Sequence, residues 1–182
     1  MEGKYKLDKD DVVLVVIDLQ EKLMKAMGKK EKVYKNTNLL LALTGQMGIP
    51  VIVTEQYPRG LGATVDEIKA NLPEYRYIDK TEFSAYSGLT GMLKDLGRRT
   101  VLITGSETHV CVFQTTRDLV DAGYNVHVVK DAVCSRYKEN YLNGLDLMKD
   151  LGAVVTNTET VLFDLLKVAG SPEFKVISPL LK

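Results

Sequence analysis

The chain has 182 residues, 45% of them hydrophobic and 26% charged, with 24 basic and 24 acidic side chains. That length and apolar share suit one folded domain over 1–182 with a single well-filled core. The balanced charge gives no general attraction to nucleic acid or to a membrane surface. The longest apolar run, Val12 to Ile17, is far shorter than a bilayer span. The first ten residues lack the apolar segment of a secretory signal, and two cysteines do not make a disulfide framework, so a cytoplasmic setting is expected. The basic stretch from Lys25 to Lys32 is interrupted by Glu31 and reads as a solvated helix junction.

Hydrophobic patterning predicts strands at 12–17, 51–54, 100–104, 126–129 and 153–156, with a weaker one at 76–78. Between and after them it predicts helices at 33–47, 89–96, 110–122, 141–151 and 160–168. Four of these helices run directly into a glycine, at Gly48, Gly97, Gly123 and Gly152, a common helix stop. The strands are apolar without strict alternation, as strands buried on both faces are. The expected fold is therefore α/β, a three-layer α/β/α sandwich around a mostly parallel, about six-stranded, Rossmann-like sheet.

In such a sheet a ligand site lies beyond the carboxyl ends of the strands. Asp18, Lys80 and Cys111 all fall at or just past such ends. Cys111 follows a strand and a short polar turn and stands about where a helix begins. There the helix dipole would lower its pKa and make it a nucleophile. A small buried core residue is the competing reading. Asp18 is either a catalytic carboxylate or the N-cap of a helix starting at Leu19. Lys80, taken by itself, is a surface lysine.

Val15-Val-Ile-Asp-Leu-Gln20, Asp79-Lys80 with Phe83-Ser84, Gly105-Ser-Glu-Thr-His-Val-Cys111-Val and Asp131-Ala-Val-Cys-Ser-Arg136 occur in that order. Together they resemble the motifs of the isochorismatase-like, or cysteine hydrolase, family. The stretches Thr54-Glu-Gln-Tyr-Pro-Arg-Gly-Leu-Gly62 and Glu107-Thr-His-Val-Cys111 are most similar to its isochorismatase-domain-containing subgroup.

The resemblance implies a catalytic set of Asp18, Lys80 and Cys111, with a non-proline cis peptide between Ser106 and Glu107. It also implies an oxyanion hole made by the backbone N–H groups of Val110 and Cys111. The implied reaction is hydrolysis of a small amide or carbamoyl compound through a thioester on Cys111. Family members that cleave a vinyl ether lack this cysteine, so amide-type chemistry is expected. Nicotinamidases of the family hold a metal with an aspartate and two histidines from the loop after the second strand. This chain has only His109 and His127, and that loop contains neither, so no metal or other cofactor is expected.

Gln20, Tyr57, Phe83 and His109 are candidate substrate contacts, and the partners expected are a small-molecule substrate and further copies of the chain, not nucleic acid or membrane. Cys134 reads as a small structural residue or a regulatory thiol, and His127 as a residue that packs or faces solvent. Two other readings stand beside the enzyme: a non-catalytic scaffold of the same fold, and a redox sensor in which Cys111 pairs with Cys134.

Overall fold

β1 (Val12–Ile17) is a run of six apolar residues, all buried. A strand that is apolar on both faces belongs inside a parallel sheet. In the computed structural model, which describes residues 3–181, β1 is indeed an inner strand. The other strands are β2 (Val51–Gln56), β3 (Tyr75–Lys80), β4 (Thr100–Ser106), β5 (Asn125–Cys134) and β6 (Val154–Thr156). Their order across the sheet is β3-β2-β1-β4-β5-β6, and every neighbouring pair is parallel.

Alternate residues of β1 feed two separate cores. Val12, Leu14 and Val16 pack with Leu40 of α2 (Lys30–Met47), and with Leu165 and Ile177 from the C-terminal part of the chain. Val13, Val15 and Ile17 pack with Leu89 of α5 (Tyr86–Leu96), Leu119 of α6 (Phe113–Asp121) and Met148 of α7 (Lys138–Asp150). Each fully buried aliphatic side chain stabilises the fold by about 1.5–3 kcal/mol. The expected three-layer α/β/α sandwich with a six-stranded sheet is what the chain forms.

The differences from the sequence reading have local causes. Four short helices were not legible: α1 (Glu21–Lys25), α3 (Pro58–Leu61), α4 (Asp66–Lys69) and α9 (Pro172–Ile177). Segments of one or two turns are too short to display a helical period. The last long helix, α8, covers Thr158–Leu166. β5 continues well beyond residue 129 because Lys130 and Asp131 end the apolar run without ending the strand. Its pairing with β4 shifts register there, from Ile103 opposite Val128 to Gly105 opposite Val133. Among the described residues no helix is long and apolar enough to cross a membrane.

Gly105 sets how closely the site's two central strands approach. Its φ is 126°, and a Cβ there would lie 2.0 Å from the carbonyl oxygen of Ile17. Only glycine lets β4 turn past the end of β1 at that distance. The loop carrying Cys111 therefore leaves the sheet directly beside Asp18.

Candidate active site

Asp18 follows β1 with φ 49° and no exposed surface. Its backbone N–H donates to the Thr54 carbonyl at 3.1 Å, and the Ser106 hydroxyl donates to its own carbonyl at 2.9 Å. The carboxylate receives the Thr54 hydroxyl on Oδ1 at 2.6 Å and the Lys80 ammonium on Oδ2 at 2.7 Å. It caps no helix: α1 starts at Glu21, behind Gln20.

Lys80 ends β3, a sheet-edge strand with most residues exposed, yet it is only 9% exposed itself. Its Nζ also donates to Gln56 Oε1 at 2.7 Å, the Phe83 carbonyl at 3.0 Å and the Glu82 carbonyl at 3.3 Å. An ammonium surrounded by four oxygens is held in place, and the surface reading of this lysine is overturned.

Cys111 lies in a π-helical turn, Thr108–Val112, that precedes α6. It is 5% exposed and is not at the first turn of the α-helix. The expectation of a lowered thiol pKa is reversed. Burial first, then the negative charge of Asp18, pushes it up to about 12, against the opposing pull of Lys80. The resting sulfur thus keeps its proton at neutral pH, and the two charges that act on it are those of Asp18 and Lys80.

The loop before it is tied down from several sides. The Ser106–Glu107 peptide is cis. The Glu107 carboxylate receives the backbone N–H of Arg136 at 2.9 Å and its guanidinium Nε at 3.1 Å. His109 Nδ1 lies 3.0 Å from the Ser135 hydroxyl. The Val110 N–H donates to the Glu107 carbonyl at 3.0 Å, so it is not free to hold an oxyanion in this conformation. That departs from the expected pairing of Val110 with Cys111.

Gln20 also departs from expectation. It is fully buried, and its amide is consumed by structure. Oε1 accepts from the Gln56 N–H at 2.7 Å, while Nε2 donates to the carbonyls of Gln56 at 3.0 Å and Gly62 at 2.7 Å. It braces the loop after β2 and has no donor to spare for a substrate. Tyr57 and Phe83 are 55% and 54% exposed and plug no core. Both flank the lysine: the Tyr57 N–H donates to the Lys80 carbonyl at 2.8 Å, and Phe83 supplies one of the ammonium's acceptors.

Cys134 ends β5 in the core on the α2 side of the sheet, whereas Cys111 belongs to the core on the other side. His127 is buried, with Nε2 3.0 Å from the Lys4 carbonyl, and burial lowers its pKa. Among the described residues no three histidine, cysteine or acidic side chains converge in a way that could hold a metal ion.

Thr54, Gln56 and Ser135 were not singled out in the sequence. Thr54 and Gln56 stand two apart on β2 and so face the same side of the sheet, which is the one signal that could have found them. The whole arrangement sets a buried thiol beside a buried carboxylate and the lysine ammonium fixed against it.

The sequence profile described as isochorismatase domain matches residues 12–160. A secreted isochorismatase effector, Isc1, of Phytophthora sojae is 41% identical over 93% of this chain and 84% of its own length. The structure of the MAR1 ribonuclease of Caenorhabditis elegans has a TM-score of 0.91 at 36% identity, covering 97% of this chain and 92% of that one. The YcaC protein of Escherichia coli, described as an octameric hydrolase of unknown specificity, has a TM-score of 0.90 at 25% identity, covering 97% of this chain and 89% of the other.

Proposed function

The chain belongs to the isochorismatase family, and we propose that within it the protein is a cysteine-dependent hydrolase of a small amide or carbamoyl carbon–nitrogen bond. The observation that carries this reading is the Cys111 thiol, nearly closed to solvent and subject to both members of the buried Asp18–Lys80 pair.

As the sulfur attacks the carbonyl carbon, its proton passes to the Asp18 carboxylate. This is the step a thiol with its pKa pushed up to about 12 cannot take alone. The oxyanion is met by the backbone N–H of Cys111, and that of Val110 joins only by leaving the Glu107 carbonyl. Collapse expels the amine, which takes the proton from Asp18 and leaves a thioester on Cys111. Water then gives a proton to Asp18 and its oxygen to the acyl carbon. The sulfur departs and recovers that proton, so the cycle closes. Lys80 stabilises the negative charge on whichever of its two neighbours holds it, without competing for the proton.

Tyr57 and Phe83 form the exposed lips of the entrance in this reading, and their size suits a small substrate with an apolar part. The octameric description of YcaC supports assembly into a homo-oligomer. A Cys111–Cys134 disulfide is disfavoured, because the two thiols lie in cores on opposite faces of the sheet.

The test is release of ammonia or amine from a panel of primary amides, ureas and carbamoyl compounds. Wild-type protein is expected to turn over some member of it and Cys111→Ala none. Equal release by the two proteins contradicts the proposal.

A further inference from the structure

A concave site lies around the carboxyl end of β5. It is a cleft of about 460 Å³ between the first turn of α2, the end of β5 and the first turn of α7, and none of Asp18, Lys80 and Cys111 lines it. Val33 and Cys134 are buried and make an apolar floor. Tyr141 forms a half-buried wall, its hydroxyl donating to the Lys130 carbonyl at 2.7 Å.

The rim is basic. Lys29, Lys32, Lys130, Arg136 and Lys138 surround the opening, in a chain whose basic and acidic side chains are equal in number overall. Asp131 is the one acid among the lining residues, and its Oδ1 is occupied by the N–H and the hydroxyl of Thr158, both at 2.8 Å. Arg136 is partly neutralised by Glu107, but among the described residues none of the four lysines forms an ion pair. α2 and α7 both point their N-termini at this region, and neither has a side-chain cap, so their dipoles add to the positive potential. The basic stretch around Lys29 and Lys32, which the sequence suggests is a plain solvated junction, is thus half of a charged rim.

We propose that this cleft binds a small organic anion, its apolar body on Val33, Cys134 and the Tyr141 ring and its anionic group against the rim lysines. The volume is that of a small-molecule site. An apolar floor inside a ring of cations selects an amphiphilic anion over a hydrophilic polyanion, which would be served by an extended basic stripe on an open face. The inference does not depend on the hydrolase reading, because its lysines lie outside the Asp18, Lys80 and Cys111 set and binding alone tests it, although Arg136 and Ser135 link the cleft to that site through Glu107 and His109.

The probe is 8-anilinonaphthalene-1-sulfonate, followed by fluorescence with the full chain. Lys32, Lys130 and Lys138 are exposed, so Lys32→Glu/Lys130→Glu/Lys138→Glu can be made without touching the core. Wild-type protein is expected to bind about one equivalent with an affinity that falls as salt is raised. The triple variant is expected to lose at least about tenfold in affinity, and Cys111→Ala to lose none. Lys32→Glu alone should show a smaller loss if the triple variant does not fold. Bound probe is also expected to slow amide hydrogen exchange in segments 28–33 and 130–141. The proposal is overturned if the probe does not bind, if charge reversal leaves affinity unchanged, or if protection falls elsewhere. It is equally overturned if the neutral N-phenyl-1-naphthylamine binds as well, or if single-stranded RNA binds through the same lysines more tightly than the probe.

Discussion

The ammonium of Lys80 and the carboxylate of Asp18 meet at 2.7 Å with both side chains almost wholly removed from water. Removing one partner of such a pair strands a buried charge, at a cost of about 3–5 kcal/mol. Lys80→Met is therefore expected to destabilise the protein by that amount in urea denaturation. Lys80→Met combined with Asp18→Asn, which removes both charges, is expected to recover most of the loss. A double variant no more stable than Lys80→Met would show that the pair is not the unit inferred here.

Asp18→Asn separates base catalysis from thiol chemistry. It removes the proton acceptor, so turnover of any panel amide is expected to fall by about 10²–10⁴-fold. It also removes the largest charge that raises the thiol pKa and leaves Lys80, which lowers it. The Cys111 pKa should then drop below its wild-type value of about 12, and alkylation at mildly alkaline pH should become faster than in wild type. Site-resolved iodoacetamide labelling across pH reads this directly. A variant whose Cys111 reacts more slowly than wild type contradicts the electrostatics described.

His127 is 2% exposed, and burial lowers its pKa from the ordinary 6.5. Below about pH 6.5 the unfolded chain takes up a proton that the folded chain refuses. Its contribution to stability is therefore intact above that pH and declines as pH falls through it. His127→Gln is expected to flatten the pH dependence of unfolding free energy between about pH 6.5 and 5, where one proton is worth at most about 1.4 kcal/mol per pH unit. Identical slopes in the two proteins would count against a neutral buried imidazole.

The legibility of this site followed the chemistry of its neighbours. Asp18 and Cys111 could be picked out because each follows an apolar strand, β1 or β4, whose burial is unmistakable in composition. Lys80 could not be picked out by itself, because it ends an exposed edge strand and is buried only by contacts from β1, β2 and its own following loop. The part played by Gln20 was hidden for a different reason. Its amide bonds to backbone groups distant in sequence, and such bonds leave no periodic trace. The direction of the Cys111 pKa is not legible either, because a helix start is visible in sequence, whereas burial and a carboxylate from another strand are not.

The central claim is that the acyl group passes through sulfur. The most direct measurement is acid quenching during turnover of a panel amide, followed by peptide mass spectrometry. The expected species is an adduct on Cys111 equal in mass to the substrate's acyl group, labile to hydroxylamine and absent from Cys111→Ala. Steady turnover with no adduct on Cys111 at any quench time, together with full activity of Cys111→Ala, would contradict it.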